Sequence, residues 1–474
     1  MKLNRSAGIW GRFRSTFIGD RAFYIKVLTL IVPIILQNLI TNFVNLLDNV
    51  MIGQVGTAQM SGVAIANQLI FVANLTVFGG LSGPGIYGAQ FFGAGDNDGL
   101  RHTLRFKIWT AVVIMAGAIA VFSLGGSRLI SLYLTGEGDK SEAAEMLSYG
   151  LDYLRIMVWG LIPFALSQAY GGTLRETGEA MLPMKASIAA VFTNLVLNYI
   201  LIFGKLGFPE LGVVGAAIAT VISRYVELAI MLIYTRRHIG RFSFIRGLFS
   251  SMRVPLELVK NILKKGMPLL VNELLWSLGV TTTTQIFSTC GLNVVAGLNI
   301  SSTVTNLFNV VFISIGSATA VMVGQALGAS DIDRAKSYVW KLIFFNFGVC
   351  LVIGAGLGAA SPFIPDIYKT TEDVRKLATL FMLTSALYMP INSITHICYF
   401  AIRSGGKTII TFLFDSAYTW AVCIPLVYAL AHFSGLGIAA IYPLSFLADT
   451  VKSVIGIIIV RTGYWAQNVV SPAA

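Results

Sequence analysis

The sequence predicts an all-α polytopic membrane protein with twelve transmembrane helices in two pseudo-symmetric six-helix lobes around a central cavity. Three observations predict this fold: 55% of the 474 residues are hydrophobic and only 12% are charged, long apolar stretches recur along the chain, and its two halves resemble each other. Soluble domains carry about 25% charged residues, which is about twice the charged fraction of this chain. The composition therefore excludes a soluble enzyme, a disordered chain and a nucleic-acid-binding domain.

Apolar stretches long enough to cross a bilayer, which takes about 20 residues in a helix, divide the chain. They lie at roughly 27–50, 62–92, 104–126, 147–170, 184–204, 212–235, 266–290, 295–327, 338–360, 377–402, 408–430 and 436–460. The predicted parts are an N-terminal segment (1–26), an N-terminal lobe (27–236), a connector (237–265), a C-terminal lobe (266–461) and a tail (462–474). An even number of spans puts both termini on one side.

Basic residues set the orientation, because they collect in the cytoplasmic loops of membrane proteins. With both termini in the cytoplasm, most of the 34 lysines and arginines lie inside, including those of segments 101–107 and 236–265. The basic residues that fall in outside loops are Arg128, Lys140, Lys205, Lys369, Arg375 and Lys376. The net charge of +12 is thus explained by the lipid bilayer, and no nucleic-acid partner is expected.

A repeat relates the two halves at a constant offset of 235 residues. The matching pairs are Pro33 with Pro268, Gly62 with Gly297, Asn74 with Asn309, Gln90 with Gln325, Gly93 with Gly328, and Asp96 and Asp98 with Asp331 and Asp333. Six spans separate corresponding elements, so the copies run parallel and are related by an axis along the membrane normal. Duplicated six-span lobes of this kind are typical of transporters.

Charged residues inside spans are candidates for function, since each costs at least about 2.5 kcal/mol to insert. Arg224 and Glu227 lie three residues apart, as do Asp449 and Lys452, so each pair either neutralises itself within its helix or joins a network across the pseudo-two-fold axis. Near the end of the fourth span, a local ion pair of the same i, i+3 spacing is expected. Its members are Asp152 and Arg155.

Acidic residues without a basic neighbour on their own helix are candidates for cation coupling. Asp48 is one of them, unless it only caps or hydrogen-bonds near a helix end. Glu273 and Asp415 predict a second site for a proton or a substrate cation in the C-terminal lobe. His396 either joins that site or is an interior hydrogen-bonded histidine. A carboxylate removed from water gains from taking a proton, which suits it to proton coupling.

Several segments resemble the multidrug and toxic compound extrusion (MATE) family. They are Pro33 followed by Asp48 and VMIG (50–53), the turns GAGDNDGLRHT (93–103) and GASDIDRAKSY (328–338), and the segment LGVVGAAIATVISR (211–224). The resemblance covers about residues 20–462, and the prokaryotic DinF-like branch of the MOP flippase superfamily is the most similar. It implies cation-coupled efflux of amphipathic, commonly cationic molecules across a prokaryotic cytoplasmic membrane.

The resemblance also implies site residues. The Pro33 and Asp48 pair corresponds to the cation site of the family's N-terminal lobe, with Asn194 and Asn198 as fifth-span partners and Thr220 as a further candidate. Archaeal members have an aspartate where Asn198 stands. The absence of that carboxylate at position 198 weakens the expectation of a Na⁺ site near Asp48, because Na⁺ favours several oxygen ligands and negative charge. No other metal site and no cofactor is expected, the coupling ion being H⁺ or Na⁺.

No motif of an enzyme is present: the sequence lacks GxxxxGK[ST], HExxH, GxSxG and clustered cysteines. We therefore predict a secondary active multidrug antiporter, coupled to H⁺ in preference to Na⁺, that works as a monomer by alternating access. A lipid or lipid-linked oligosaccharide flippase of the same superfamily is the alternative. A major-facilitator porter would carry a basic loop after the second span, and a receptor or scaffold would not explain duplicated lobes with buried charges.

Overall fold

The computed structural model describes residues 9–134 and 140–471, apart from the side chains at positions 9, 11, 12, 45, 46, 49 and 140. The first eight residues of the predicted N-terminal segment and the last three of the predicted tail lie outside the described residues. Throughout the described ranges the regular structure is helical, with no strand.

Twelve helical segments of 22 to 37 residues follow the predicted spans in order. After a short helix α1 (Ile9–Phe17), they are α2 (Arg21–Gly53), α3 (Thr57–Gly93), α4 (Asn97–Tyr133), α5 (Lys140–Glu176), α6 (Met181–Ile202), α7 (Gly212–Arg237), α8 (Leu256–Ser288), α9 (Leu292–Gly328), α10 (Ile332–Ala360), α11 (Glu372–Ser404), the eleventh span (Thr408–Phe433) and α14 (Ile438–Thr462). Short 3₁₀ turns lie at Ser243–Ile245 and Ile364–Ile367.

The eleventh span changes helix type along its length. It begins as α12 (Thr408–Phe412), continues as two π-helical segments, Leu413–Ala417 and Thr419–Cys423, and ends as α13 (Ile424–Phe433). π-Helical turns are rare, and they occur frequently at functional sites because the extra residue widens the helix. Nothing in the amino-acid pattern of this span predicted the change.

Ten of the described helices are long and apolar enough to cross a membrane. The two long helices that fall short of that criterion are α5 and α8. Polar residues interrupt both: α8 holds Asn272, Glu273 and four consecutive threonines at 281–284. Helix α8 also begins at Leu256, ten residues before the predicted span, so the last third of the predicted connector is helical rather than a loop.

The two glycine-led turns of the repeat have the same backbone. After α3, Gly95 has φ +75° and the amide of Asp96 donates to the carbonyl of Phe91 at 3.0 Å. After α9, Ser330 has φ +58° and Asp331 donates to Ala326 at the same distance. Both helices therefore end in a left-handed residue, glycine in one copy and serine in the other, as the repeat predicts.

The described chain divides into two compact units. Unit 1 comprises the residues up to Ile31, Ala89–Asp96 and the residues from Leu263 onward; unit 2 comprises Val32–Gly88 and Asn97–Ile262. Most of each predicted lobe falls in one unit. The beginning of α2 and the end of α3 fall in unit 1, however, so the units differ from a simple division of the chain at the connector.

Each unit has its own apolar core. In unit 2, the core is formed by α3, α4, α5 and the start of α7, around Val63, Met115 and Leu161. In unit 1, one cluster joins α9, α10 and α11, and another joins α8, α13 and α14 around Phe381. Many other large apolar side chains are exposed, as expected for helices that face lipid.

The connector is held against α4 by arginine side chains that bind backbone carbonyls. Arg105 donates to the carbonyls of Gly247 at 2.6 Å and Leu248 at 2.9 Å, and Arg101 donates to that of Phe244 at 3.1 Å. From the sequence, these two residues were counted only among the basic residues on the cytoplasmic side. They also satisfy the polar backbone of the connector within unit 2.

Candidate functional site

A chain of polar side chains joins the first, fifth and sixth spans of unit 2. The amide of Asn198 donates from Nδ2 to Asp48 Oδ1 at 2.5 Å and to Asn194 Oδ1 at 3.1 Å. Asn194 Nδ2 in turn donates to Thr220 Oγ1 at 3.2 Å. The four side chains that the family resemblance put in one site are thus joined by hydrogen bonds.

Asp48 has an amide partner and no basic one. Among the described residues, no lysine, arginine or histidine forms an ion pair with its carboxylate. Asn198 is fully buried, and its Oδ1 has no hydrogen-bond partner there. A buried carbonyl oxygen without a donor costs about 1–3 kcal/mol, so this cluster has a spare acceptor beside its one negative charge. Such an arrangement suits the uptake of a proton or a small cation.

Pro33 lies in the same helix as Asp48, four turns earlier, and α2 continues through it. Proline has no N–H, so the carbonyl of Thr29 loses its helical donor and the helix is weakened at this point. The division between the two units also falls here, between Ile31 and Val32. Pro33 therefore marks the place where α2 can bend most easily.

Arg224 does not pair with Glu227 in the described structure. Its Nη1 donates to the carbonyl of Gly160 at 3.2 Å, and its guanidinium lies 4.9 Å from the centroid of the Phe164 ring. Glu227 interacts electrostatically with both Arg175 and Arg224. Arg224 is thus fixed by α5, which leaves its charge interaction with Glu227 a longer-range one.

A second polar cluster lies in unit 1. Tyr399 Oη donates to Glu273 Oε1 at 3.1 Å, and Asn272 Nδ2 donates to Asp415 Oδ2 at 2.9 Å. The same Asn272 amide is 3.4 Å from Tyr399 Oη, which links the two pairs. The structure therefore brings Glu273 and Asp415 into one hydrogen-bonded cluster. Asn272 and Tyr399, which bridge them, were missed from the sequence, although Asn272 directly precedes Glu273.

Lys452 binds Asp415 rather than the aspartate of its own helix. Its Nζ donates to Asp415 Oδ1 at 2.7 Å and lies 5.7 Å from the centroid of the Phe414 ring. Within the described residues, Asp449 forms no ion pair with Lys452, and its Oδ1 is 4.0 Å from Cys423 Sγ. A buried ammonium therefore neutralises Asp415, whereas Glu273 forms no ion pair among the described residues and interacts with Arg403 only electrostatically.

The π-helical segment positions Asp415 against α8. The backbone N–H of Ser416 donates to Asn272 Oδ1 at 3.2 Å, and its hydroxyl donates to the carbonyl of Asn272 at 2.7 Å. Among the described residues, His396 forms no hydrogen bond to this cluster and interacts with Asp415 and Lys452 only electrostatically. Its Nδ1 is 3.2 Å from the carbonyl of Asn392, and its ring contacts Phe312. This matches an interior hydrogen-bonded histidine.

A buried ion pair that the sequence did not predict joins α4 to α5. Lys107 Nζ donates to Glu176 at 2.5 and 2.6 Å and to Thr173 Oγ1 at 2.9 Å. Lys107 is only 1% exposed, although the loop pattern treated it as a surface charge. The expected pair of Asp152 and Arg155 is present, with 3.3 Å between its charged atoms.

Among the described residues, no cluster of three or more His, Cys, Asp or Glu side chains is arranged to hold a metal ion. The oxygen atoms around Asp48 come instead from one carboxylate, two amides and a hydroxyl.

A comparison with protein-family models identifies the family of the chain. The MatE family model matches residues 33–200 and 268–429, one match in each half of the chain. The chain belongs to the MatE family. It is a membrane transporter and not an enzyme. Both matches begin at a proline of the repeat, Pro33 and Pro268, so the family model also carries the duplication seen in the sequence.

Curated relatives span nearly the whole transporter. It is 24% identical over 459 residues to "Probable multidrug resistance protein NorM" of Thermotoga maritima, covering 94% of each chain. It is 28% identical over 428 residues to a protein of the same name from Bradyrhizobium diazoefficiens, covering 88% of this chain and 89% of that one.

Solved structures show the same fold. An outward-facing multidrug resistance MATE family transporter of the MOP superfamily matches with TM-score 0.81 and 19% identity, over 95% of this chain and 97% of that one. A Vibrio cholerae MATE transporter matches with TM-score 0.82 and 18% identity, over 94% and 98%. The predicted all-α polytopic fold of this MatE protein is thereby confirmed.

Proposed function

We propose that this MatE protein is a secondary active multidrug efflux transporter that exchanges amphipathic, commonly cationic small molecules for a coupling cation by alternating access. The cation is H⁺ rather than Na⁺. The protein lies in a prokaryotic cytoplasmic membrane with both termini in the cytoplasm, its lobes are 27–236 and 266–461, and it works as a monomer. The curated NorM relatives support efflux of several drugs, and the distribution of basic residues supports the orientation.

The observation that carries the proposal is the state of Asp48. Its carboxylate accepts a hydrogen bond from Asn198 and has no basic partner among the described residues. In a water-poor site, a lone carboxylate gains from taking a proton. Na⁺ coupling would be favoured by a second carboxylate, and the residue in that position is the amide of Asn198. One negative charge with one titratable group therefore favours H⁺.

Unit 1 supplies the better position for a substrate cation. Asp415 is neutralised by Lys452, whereas Glu273 accepts a hydrogen bond from the Tyr399 hydroxyl and, among the described residues, forms no ion pair, Arg403 acting on it only electrostatically. An organic cation could pair with Glu273 and contact the face of an aromatic ring, an interaction worth about 0.5–2 kcal/mol. We assign Glu273 to substrate binding and Asp48 to coupling, with Asn194 and Thr220 orienting the amide of Asn198.

A monomer suffices for this mechanism. All hydrogen-bonded members of the Asp48 cluster come from α2, α6 and α7 of one chain, and those of the Glu273 cluster from α8, α11, the eleventh span and α14. Neither cluster needs a residue from a second copy.

The test is efflux of a cationic dye from proteoliposomes under an imposed H⁺ or Na⁺ gradient. We expect transport driven by the H⁺ gradient, and its loss in Asp48→Asn, which cannot exchange a proton. Asp152→Asn is the matched control, because this aspartate lies in an exposed ion pair outside the cluster. Full gradient-driven transport by Asp48→Asn would refute the assignment.

The same proteoliposomes separate the alternative function. A flippase would move a fluorescent lipid between leaflets without a cation gradient, whereas an antiporter would move the dye and leave the lipid in place. Lipid movement without dye efflux would replace the antiporter by the flippase.

A further inference from the structure

Helices α3 and α9 end in a close crossing inside unit 1. A methyl group built on Gly93 would lie 2.0 Å from the carbonyl oxygen of Gln325, and one built on Gly328 would lie 1.9 Å from that of Gln90. Because the obstructing atoms are backbone, no side chain fits at either glycine. The two contacts are related by the repeat, so the crossing is symmetric: each glycine faces the glutamine of the other copy.

The side chain of Gln90 connects this crossing to two further parts of unit 1. Its Nε2 donates to the carbonyls of Ser404 at 2.8 Å and Gln467 at 3.1 Å, and its Oε1 accepts from the N–H of Val469 at 2.7 Å. The side chain is fully buried. One glutamine therefore holds the end of α3 to the end of α11 and to the segment after α14.

That segment, residues 463–471, is packed tightly against the crossing, and we call it the C-terminal strap. Trp465 is 1% exposed and its indole N–H donates to the carbonyl of Val460 at 3.0 Å. The backbone oxygen of Trp465 would lie 1.7 Å from a methyl group on Gly405. Asn468 Nδ2 donates to the carbonyl of Gly328 at 3.2 Å, on the crossing itself.

The repeat mate of Gln90 has a different partner. Gln325 Oε1 accepts a hydrogen bond from Lys26 Nζ at 3.1 Å. The backbone crossing is therefore symmetric, whereas the described hydrogen bonds of the two side chains differ: Gln90 is bonded to the strap, and Gln325 accepts a bond from Lys26. This difference provides a matched pair of positions for an experiment.

We propose that the crossing of α3 and α9 is the cytoplasmic closure of the transporter, and that Gln90 is a positioning residue that couples the C-terminal strap to it. The proposal rests on the alternating access proposed above. Two backbones in direct contact leave no space for a substrate, so the crossing must separate whenever the protein opens to the cytoplasm. The hydrogen bonds of Gln90 favour the closed state and so set how often it opens.

A reversible cross-link tests the closure. A methyl group on Gly324 would lie 2.8 Å from Ala89 Cβ, slightly closer than the about 3.5–4.5 Å of a disulfide, so a small shift allows the bond. In a background without native cysteines, the double variant Ala89→Cys/Gly324→Cys should form it under oxidation. We expect dye transport by the double variant to stop on oxidation and to return on reduction, whereas each single variant should transport at the same rate under both conditions.

A charge change at the glutamines tests the strap. Gln90→Glu loses the N–H groups that bind two carbonyls, whereas the matched variant Gln325→Glu keeps an acceptor for Lys26. We expect the cytoplasmic reaction of a membrane-impermeant maleimide with Ala89→Cys to rise at least about threefold in Gln90→Glu, because hydrogen bonds to two carbonyls are lost, and to rise less in Gln325→Glu. In Gln90→Glu, the maximal rate of dye transport should differ from that of the unaltered protein, whereas the KM for the dye should be the same.

Normal transport by the fully cross-linked protein would overturn the closure, and equal labelling of the two glutamate variants would overturn the role of Gln90. If Gln90→Glu does not fold, Asn468→Ala in the full chain removes the strap's hydrogen bond to the carbonyl of Gly328 and should also raise the labelling. The variant Asp48→Asn distinguishes a failure of the closure proposal from a failure of the proposed antiport. If only the closure proposal is wrong, Asp48→Asn is still inactive; if the proposed antiport is wrong, Asp48→Asn is active.

Discussion

The buried pair of Lys107 and Glu176 makes a prediction about stability that its geometry defines closely. The ammonium contacts both carboxylate oxygens, at 2.5 and 2.6 Å, and Thr173 Oγ1 at 2.9 Å. A methyl group on Gly88 would lie 1.9 Å from Glu176 Oε2, so the carboxylate also packs against the backbone of α3. The pair thus holds three helices of unit 2 together at a place that water hardly reaches.

Replacement of Lys107 by methionine removes the positive charge and keeps a long side chain. The carboxylate of Glu176 is then buried without its cation, and breaking a buried pair in this way costs about 3–5 kcal/mol. The double variant Lys107→Met/Glu176→Gln leaves no buried charge, so most of the loss should return. Equilibrium unfolding of the purified protein in mixed micelles, followed by circular dichroism, measures all three free energies of unfolding.

An exposed ion pair provides the control. The side chains of Arg155 and Asp152 are 73% and 44% exposed, and pairs of this kind contribute about 0–1 kcal/mol. Arg155→Met should therefore change the free energy of unfolding by no more than that. If Lys107→Met cost as little as Arg155→Met, or if the double variant lost more than either single one, the buried pair would not be the stabilising contact described here.

Three further predictions concern single substitutions. Asn198→Asp puts a second carboxylate beside Asp48, so we expect dye efflux to become stimulated by a Na⁺ gradient; an unchanged ion dependence would contradict this. Lys452→Met should destabilise the protein by about 3–5 kcal/mol in the same unfolding assay, because its buried carboxylate partner loses its cation, and Lys452→Arg should lose much less. Gly62→Ala should cost about 1–3 kcal/mol, since its Cβ would lie 2.4 Å from a backbone oxygen of α5, whereas Gly117→Ala, with nothing within 4 Å, should be neutral or stabilising.

The sequence predicted the spans well because crossing a bilayer requires long apolar stretches, which are visible without any knowledge of packing. It predicted the partners of Lys452 less well. Spacing along a helix identifies neighbours at i, i+3, and on that basis Asp449 was a candidate partner; contact with Asp415 depends instead on the rotation of the eleventh span against α14. That rotation is altered by the π-helical turns, which no residue pattern announced.

Buried charges near the ends of spans were the other difficulty. Lys107 stands in a segment rich in basic residues at the end of a helix, and such segments usually lie in water. Its partner Glu176 is 69 residues away in the chain, so no local pattern joins the two. The Asp48 cluster was predicted only because a family resemblance related α2 to α6, since Asp48 and Asn198 lie even further apart in the chain, by 150 residues.

The duplication provides two positions, one in each half, to which we have assigned coupling and substrate binding. A duplication first produces two identical copies. At the crossing of α3 and α9 both copies still have glycine, Gly93 and Gly328, because a side chain at either position would push the helices apart. The carboxylates have not stayed equal: the position of Asp48 in the other copy is Thr283. In unit 1 an internal ammonium already occupies Asp415, which removes it from competition for a free cation. In unit 2 no such ammonium is bonded to Asp48 among the described residues, so its charge changes only when a proton or another cation arrives. The cation exchange that we propose therefore depends on the difference between the carboxylates of the two repeat copies as much as on the fold that the copies share.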